Sequence, residues 1–184
     1  MEMTPKFEYA FSKTFPWEKG FESAETAAKI HDSGGATMDG ISDAGDGVRD
    51  GLAKYPRCGI VNVPIQNLTL DQVREIYFVY YWQVCKAEYF EDTRLAALVF
   101  DLFFNQYSIG VKLLQRGINL FFPEAMQIAV DGGIGSETIA HANSLVAVSL
   151  VNKVVDLRTA HFRKKVPFLQ GLVDRSESFR ITII

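Results

Sequence analysis

The first stretch with chemical potential is a lone carboxylate among aromatic residues. In Pro16-Trp17-Glu18-Lys19-Gly20-Phe21, Glu18 has Trp17 and Phe21 close by in the chain. An acid in apolar surroundings keeps its proton at a higher pH than a solvated one, as a general acid must. Because a single Glu in such a place is more often a surface residue, the interpretation needs a second group.

That second group is predicted in the stretch Asp32-Ser33-Gly34-Gly35-Ala36-Thr37-Met38-Asp39-Gly40-Ile41. Its glycines permit a tight turn with positive φ, across which Asp32 and Thr37 can point the same way. Asp32 would stay ionised in this polar turn, and Thr37 could hold a water. Asp39 is a rival second carboxylate on the same predicted hairpin. A protonated acid with a second carboxylate or a held water is the equipment for cleaving a glycosidic bond.

No other grouping of reactive residues competes with this one. The three histidines are far apart in the chain and form no HExxH motif, and the aspartates between residues 43 and 50 do not match a calcium-binding loop. The sequence contains no GxGxxG and no GxSxG. We therefore expect no metal and no cofactor.

Composition indicates an ordinary globular chain. Of 184 residues, 48% are hydrophobic and 22% charged, which favours one compact domain. No apolar run reaches the ~18–20 residues that span a bilayer, so we expect no stable membrane insertion. The N-terminus lacks the pattern of a secretory signal, which predicts synthesis in the cytoplasm. The net charge of −3 gives no footprint for nucleic acid.

Two smaller features concern cysteine and arginine. Cys58 and Cys85 are expected to be buried free thiols, with a disulfide left open. Basic residues crowd the C-terminal end, among them Arg158 and Arg175. They are interpreted as a solvated helix face, with attraction to an anionic polymer such as a cell-wall glycan as the alternative.

Hydrophobic periodicity predicts a mainly α (α+β) protein, a helical bundle with a small Gly-rich loop and β-hairpin lobe near the N-terminus. A first helix from about Phe7 is kinked by Pro16, which places Glu18 near its end. A hairpin is predicted at Ala36–Ile41, and a short strand at 60–63. Thr69 and Gln72 form a capping box that opens a helix to about Val84. Further helices are expected at about 94–108 after Asp92, at 111–120, after a Ser136 cap, and at 144–162, with Pro167 ending the regular part.

These motifs resemble one known family. Glu18-Lys19-Gly20-Phe21 followed by the stretch from Asp32 to Ile41 is similar to the glycoside hydrolase family 108 N-acetylmuramidases, also described as secretion activator proteins. Their pattern is Glu-Gly-Gly-aromatic, then Asp-x-Gly-Gly-x-Thr-x-x-Gly-Ile. Three later segments, 100–105, 131–138 and 168–175, resemble family segments in the same order, so the likeness covers most of the chain.

The resemblance implies a single lysozyme-like domain over 1–184. Its catalytic half would cover about 7–105, with a peptidoglycan-binding half at about 106–180 packed on it. It implies hydrolysis of the β-1,4 bond between N-acetylmuramic acid and N-acetylglucosamine. Glu18 would be the catalytic acid, and Asp32 with Thr37 would position or activate water. The partner would be peptidoglycan glycan strands, and the place of action the cell wall, in the periplasm or outside the cell.

Further substrate contacts are predicted from Asp39, Trp82, Asp101 and Asn105. Asp101 and Asn105 share a helix face. They are interpreted either as a buried polar network that ties the helix to the Gly-rich lobe or as sugar contacts in the cleft. Trp82 belongs to an aromatic run that covers every side of a helix. Core packing is expected for most of this run, and Trp82 is predicted to stack on a sugar ring.

Two departures from the family pattern keep alternatives open. Lys19 stands where the family usually has Gly, and the link from Glu18 to Asp32 is longer than usual. One alternative is a non-catalytic peptidoglycan-binding or secretion-assisting protein on the same fold. Another is a lytic transglycosylase, which needs no second carboxylate. A held water favours inversion at the sugar carbon, with retention also open.

Overall fold

The structure, a computed structural model, describes residues 2–23, 25, 35–43, 47–164 and 170–182. Helices are its main elements, in agreement with the predicted mainly α class. The chain divides into two compact units, one formed by Thr14–Tyr81 and the other by Met1–Lys13 with Trp82–Ile184. The division into halves at about residue 105 stays a prediction.

The α-helices given by the described residues are, in chain order, α1 (Pro5–Thr14), α2 (Leu70–Ile76), α3 (Thr93–Gln106), α4 (Ser108–Asn119), α5 (Ser136–Asn143), α6 (Ala147–Arg163) and α7 (Gln170–Glu177). Short 3₁₀ turns lie at Phe15–Trp17, Pro56–Cys58, Ile65–Asn67, Ala87–Tyr89 and Glu124–Met126. A π-helix occupies Tyr77–Trp82. In the described residues no single helix is long and apolar enough to cross a bilayer, and only α5 with α6, bent by 117°, passes that test as a pair.

The core of the larger unit is the packing of α3 against α4 and α6. Leu98 on α3 and Leu150 on α6 have no exposed surface. Gly117 lets α4 approach α6 closely, because a Cβ at that position would lie 2.5 Å from Val154 Cγ2. Removing this apolar surface from water is the main source of stability here.

Some helix boundaries agree with the predictions and others differ from them. Asp92 caps α3 as expected, since its Oδ1 accepts from the amides of Arg94 (2.8 Å) and Leu95 (3.1 Å). Ser136, in contrast, is the first helical residue of α5, with Gly135 at the N-cap and no side-chain cap. Regular structure also continues after Pro167, which itself lies outside the described residues, because α7 follows.

The described residues of the Thr14–Tyr81 unit form two small antiparallel sheets. One joins β1 (Phe21–Glu22), β2 (Thr37–Met38) and β3 (Ile41–Ser42); the other pairs β4 (Leu52–Tyr55) with β5 (Ile60–Pro64). The predicted hairpin is confirmed: Asp39 and Gly40 connect β2 to β3 with φ of 51° and 77°. Positive φ at both turn residues is the geometry that Asp-Gly favours in two-residue hairpins. The strand predicted at 60–63 is confirmed as β5.

The capping box before α2 is also confirmed. Thr69 Oγ1 accepts from the Gln72 amide at 3.3 Å, and Gln72 Oε1 accepts from the Thr69 amide at 3.0 Å. The helix it opens is shorter than predicted, however, because the aromatic run that begins at Tyr77 continues as a π-helix instead. The wider turn changes which aromatic side chains share a face.

Candidate active site

A groove in the Thr14–Tyr81 unit brings Glu18 and Thr37 together. It has a volume of about 260 Å³ and is lined by Trp17, Glu18, Lys19, Gly20, Phe21, Glu22, Thr37 and Gly40. The two sequence motifs that suggested glycoside cleavage therefore meet at one surface.

The Glu18 backbone is set by the turn that precedes it. Pro16 lies in the 3₁₀ turn Phe15–Trp17, and the Glu18 amide closes that turn by donating to the Phe15 carbonyl at 3.0 Å. Glu18 is half-buried, while Trp17 and Phe21 are 40% and 50% exposed. The acid thus lies at the end of a helical segment, as predicted, with two accessible aromatic rings in the same groove.

Lys19 directs its charge towards an aromatic ring. Its Nζ lies 5.5 Å from the centroid of the Phe15 ring, within the range of a cation–π contact. The residue that departs from the family's usual Gly is therefore accommodated by an aromatic neighbour in the same turn.

Asp39 holds the turn after Glu18 against the hairpin. Its Oδ1 accepts from the Gly20 amide at 2.8 Å, and its own amide donates to the Gly20 carbonyl at 2.9 Å. Its carbonyl accepts from the Tyr77 hydroxyl at 2.8 Å. Gly20 has φ of 115°, a conformation that favours glycine. The structure makes Asp39 a positioning residue, and its contact with substrate stays a prediction.

Glu22 is a groove carboxylate that the sequence interpretation missed. On the β1–β2 ladder its Cα partner is Thr37. Directly opposed residues in an antiparallel pair project to the same face, with Cβ atoms roughly 4.5–5.5 Å apart. The register of β1 against β2 could have revealed Glu22, because that register is set once Asp39 of the hairpin binds the Gly20 backbone. Asp32 lies outside the described residues, so its predicted place beside Glu18 stays a prediction.

The prediction that Trp82 stacks on a sugar is corrected. Its side chain is 1% exposed and packs against Phe7 and Phe100, with ring centroids 5.7 Å and 5.6 Å away. Its Nε1 donates to Glu88 Oε2 at 3.1 Å. The indole thus has no open face for a ligand, and the accessible aromatic rings of the groove are those of Trp17 and Phe21.

Asp101 is likewise a buried network residue instead of a sugar contact. It has no exposed surface and accepts from Arg158 Nη1 at 2.6 Å and from Arg175 Nη2 at 2.7 Å. Asn105 Oδ1 accepts from Arg158 Nη2 at 3.2 Å. Asp101 therefore lies in a buried polar network, as one of the two interpretations predicted, and its partners Arg158 and Arg175 lie on α6 and α7. The predicted tie to the Gly-rich lobe stays a prediction. Arg158 and Arg175 are consequently not part of a solvated face.

The charge balance of this network sets the ionisation of Asp101. Burial acts to raise the pKa of Asp101, but the guanidinium groups of Arg158 and Arg175 outweigh it and hold that pKa below its ordinary value. The described residues contain no cluster of three or more His, Cys, Asp or Glu that could hold a metal ion.

Comparisons with known proteins agree with this architecture. The structure of SagA from Brucella abortus is similar to this chain with a TM-score of 0.69 and 22% identity, over 95% of this chain and 91% of that one. At this identity the likeness shows a shared fold. No curated protein sequence matches the chain. The model of the family Glycosyl hydrolase 108 matches residues 11–106, just over half of the chain. The chain therefore belongs to the glycosyl hydrolase 108 family and is a glycoside hydrolase of the lysozyme-like kind.

Proposed function

We propose that the protein is an N-acetylmuramidase that hydrolyses the β-1,4 bond between N-acetylmuramic acid and N-acetylglucosamine in peptidoglycan. The observation that carries the proposal is the groove in which Glu18 and Thr37 lie with two exposed aromatic rings. Aromatic faces stack on the apolar faces of sugar rings, and a carboxyl group among them can protonate the bridging oxygen.

In the proposed reaction Glu18 is the general acid. It donates its proton to the glycosidic oxygen as the bond from that oxygen to the sugar carbon breaks. Positive charge develops on the sugar ring, and a water held by Thr37 attacks it, with Asp32 as the predicted partner. Trp17 and Phe21 bind the sugar rings on either side of the acid.

The predicted place of action is the cell wall, in the periplasm or outside the cell. This part of the proposal follows from the substrate, because peptidoglycan is found there. The proposed biological settings are prophage lysis, assisted secretion and wall remodelling.

The experiment is release of fragments from purified peptidoglycan by the wild-type protein and by Glu18→Gln. We expect clearing by the wild type and a loss of at least about 100-fold in the variant, since removing a general acid typically costs 10²–10⁴. Equal clearing by both would refute the role of Glu18. Binding without clearing by either protein would support the non-catalytic alternative.

Mass spectrometry of the fragments distinguishes the two enzymatic courses. Hydrolysis adds water and leaves a reducing N-acetylmuramic acid end, whereas a lytic transglycosylase leaves a 1,6-anhydro end without adding water. Reducing ends are expected, because the groove offers groups that can hold a water.

A further inference from the structure

The groove contains a second carboxylate for which the family pattern has no role. Glu22 lines the same cavity as Glu18 and Thr37, and it is half-buried on β1. Among the contacts between described residues, no hydrogen bond or ion pair engages the Glu22 carboxylate. A carboxylate in this state is available to a ligand or a water.

The β-ladder places Glu22 directly across from Thr37. Phe21 pairs with Met38 and Glu22 with Thr37 in the antiparallel register. The carboxylate and the hydroxyl therefore project from the same face, at the cross-strand distance at which side chains interact. An ionised carboxylate only accepts hydrogen bonds, whereas a hydroxyl both donates and accepts, so the pair can bind one water between them.

The other carboxylate of the hairpin is already engaged. Asp39 is 9% exposed, and its Oδ1 accepts from the Gly20 amide at 2.8 Å. That bond fixes the chain between Glu18 and β1, so Asp39 positions Glu22 without competing for its water. Within the described part of the groove, Glu22 is thus the carboxylate with both the access and the neighbour that a water-activating group needs.

We propose that Glu22 is the general base of this site and holds the attacking water together with Thr37. The inference rests on the proposed function, in which Glu18 is the acid. As the water oxygen bonds to the anomeric carbon, Glu22 takes one proton of the water. The bond from that carbon to the glycosidic oxygen breaks, and the leaving oxygen receives the proton of Glu18. One water is consumed, and proton exchange with solvent resets both carboxyl groups.

The test compares Glu22→Ala, Asp32→Ala and Glu18→Gln on purified peptidoglycan, with and without sodium azide. Glu91→Gln is the control for the loss of one negative charge, because Glu91 is exposed and outside the groove. Thermal unfolding of each variant verifies that it folds. Removing a general base leaves a space in which azide, which needs no deprotonation, can replace water as the nucleophile.

We expect Glu22→Ala to lose at least about 100-fold in fragment release and to regain activity with azide, giving fragments that end in a glycosyl azide. Glu91→Gln should match the wild type, and Glu18→Gln should be inactive with or without azide. A Glu22→Ala rate close to that of the wild type, or azide rescue in Asp32→Ala alone, would overturn the inference. Those outcomes leave the proposed function intact as long as Glu18→Gln is inactive, whereas an inactive wild type would refute both.

Discussion

The buried Asp101 network allows the most quantitative prediction, which concerns Asp101→Asn. One carboxylate is paired with two guanidinium groups in a site where Asp101 and Arg158 have no exposed side-chain surface and Arg175 has 4%. Asparagine keeps the shape of the side chain but removes the charge. The variant removes the negative charge that both arginines contact, and its amide nitrogen can only donate towards groups that also only donate.

Removing one partner of a buried ion pair costs about 3–5 kcal/mol of unfolding free energy. For a chain of this length 1 kcal/mol shifts the melting temperature by about 2–4 °C, so we expect Asp101→Asn to melt about 6–20 °C below the wild type. The control is Asp156→Asn, which breaks the exposed contact of Arg180 Nη2 with Asp156 Oδ1 at 2.8 Å. Exposed pairs contribute less than about 1 kcal/mol.

The pH dependence provides a second readout of the same network. Because the arginines depress the pKa of Asp101 in the folded state, its contribution to stability is complete above the unfolded value of about 4. That contribution is lost as the pH falls through the folded value. The difference in stability between wild type and Asp101→Asn should therefore be largest at neutral pH and shrink in acid.

Urea unfolding at neutral and acid pH measures both effects. An Asp101→Asn cost no larger than that of Asp156→Asn would refute the reasoning, as would a cost independent of pH. A triple variant with Asp101→Leu, Arg158→Met and Arg175→Met removes the charges of these three side chains at once. It should be more stable than Asp101→Asn, because apolar replacement of a whole buried ion network is often neutral or stabilising.

Three further predictions concern single contacts. Tyr77→Phe removes the hydroxyl that holds Asp39, so it should lower fragment release more than Tyr80→Phe, which removes a comparable bond to the Arg57 amide; equal losses would contradict a positioning role for the hairpin. Acrylamide should quench the fluorescence of Trp82→Phe, which retains Trp17, far more than that of Trp17→Phe; equal quenching would contradict the burial of Trp82. Burial raises the pKa of the Cys85 thiol to about 12, so in a Cys58→Ser variant, which removes the other thiol (half-buried, not buried as predicted), a thiol reagent at about pH 8 should react only after unfolding; fast modification of the folded variant would contradict this.

The sequence predicted those features that a few neighbouring residues decide. The turn at Asp39-Gly40 and the capping box at Thr69 depend on backbone preferences and on hydrogen bonds across three residues or fewer. The place of Glu18 after Pro16 follows from the same kind of local rule. The segments around Glu18 and the Asp39-Gly40 turn supply most of the residues that line the described groove.

Features that depend on distant partners or on an unusual helix could not be predicted in the same way. The partners of Asp101 are 57 and 74 positions away in the chain, and periodicity indicates a polar face without naming what binds it. Trp82 ends a π-helix, in which the phase of the α-helical pattern no longer assigns faces correctly. The proposed stacking role therefore passes from Trp82 to Trp17 and Phe21, whose rings are exposed in the groove of Glu18.

Glu22 is harder to predict from the sequence than Glu18, the other carboxylate of the groove. Its strand has only two residues, too few for an alternating pattern, and its face is decided by pairing with a strand fifteen positions later. A slip of one residue would place Phe21 opposite Thr37 and turn Glu22 to the other face. The two bonds between Gly20 and Asp39, together with the Tyr77 hydroxyl on Asp39, hold the hairpin against the turn that leads into β1. The glycine-rich motif thus sets the register of β1 against β2, and that register decides which side chain lies opposite Thr37.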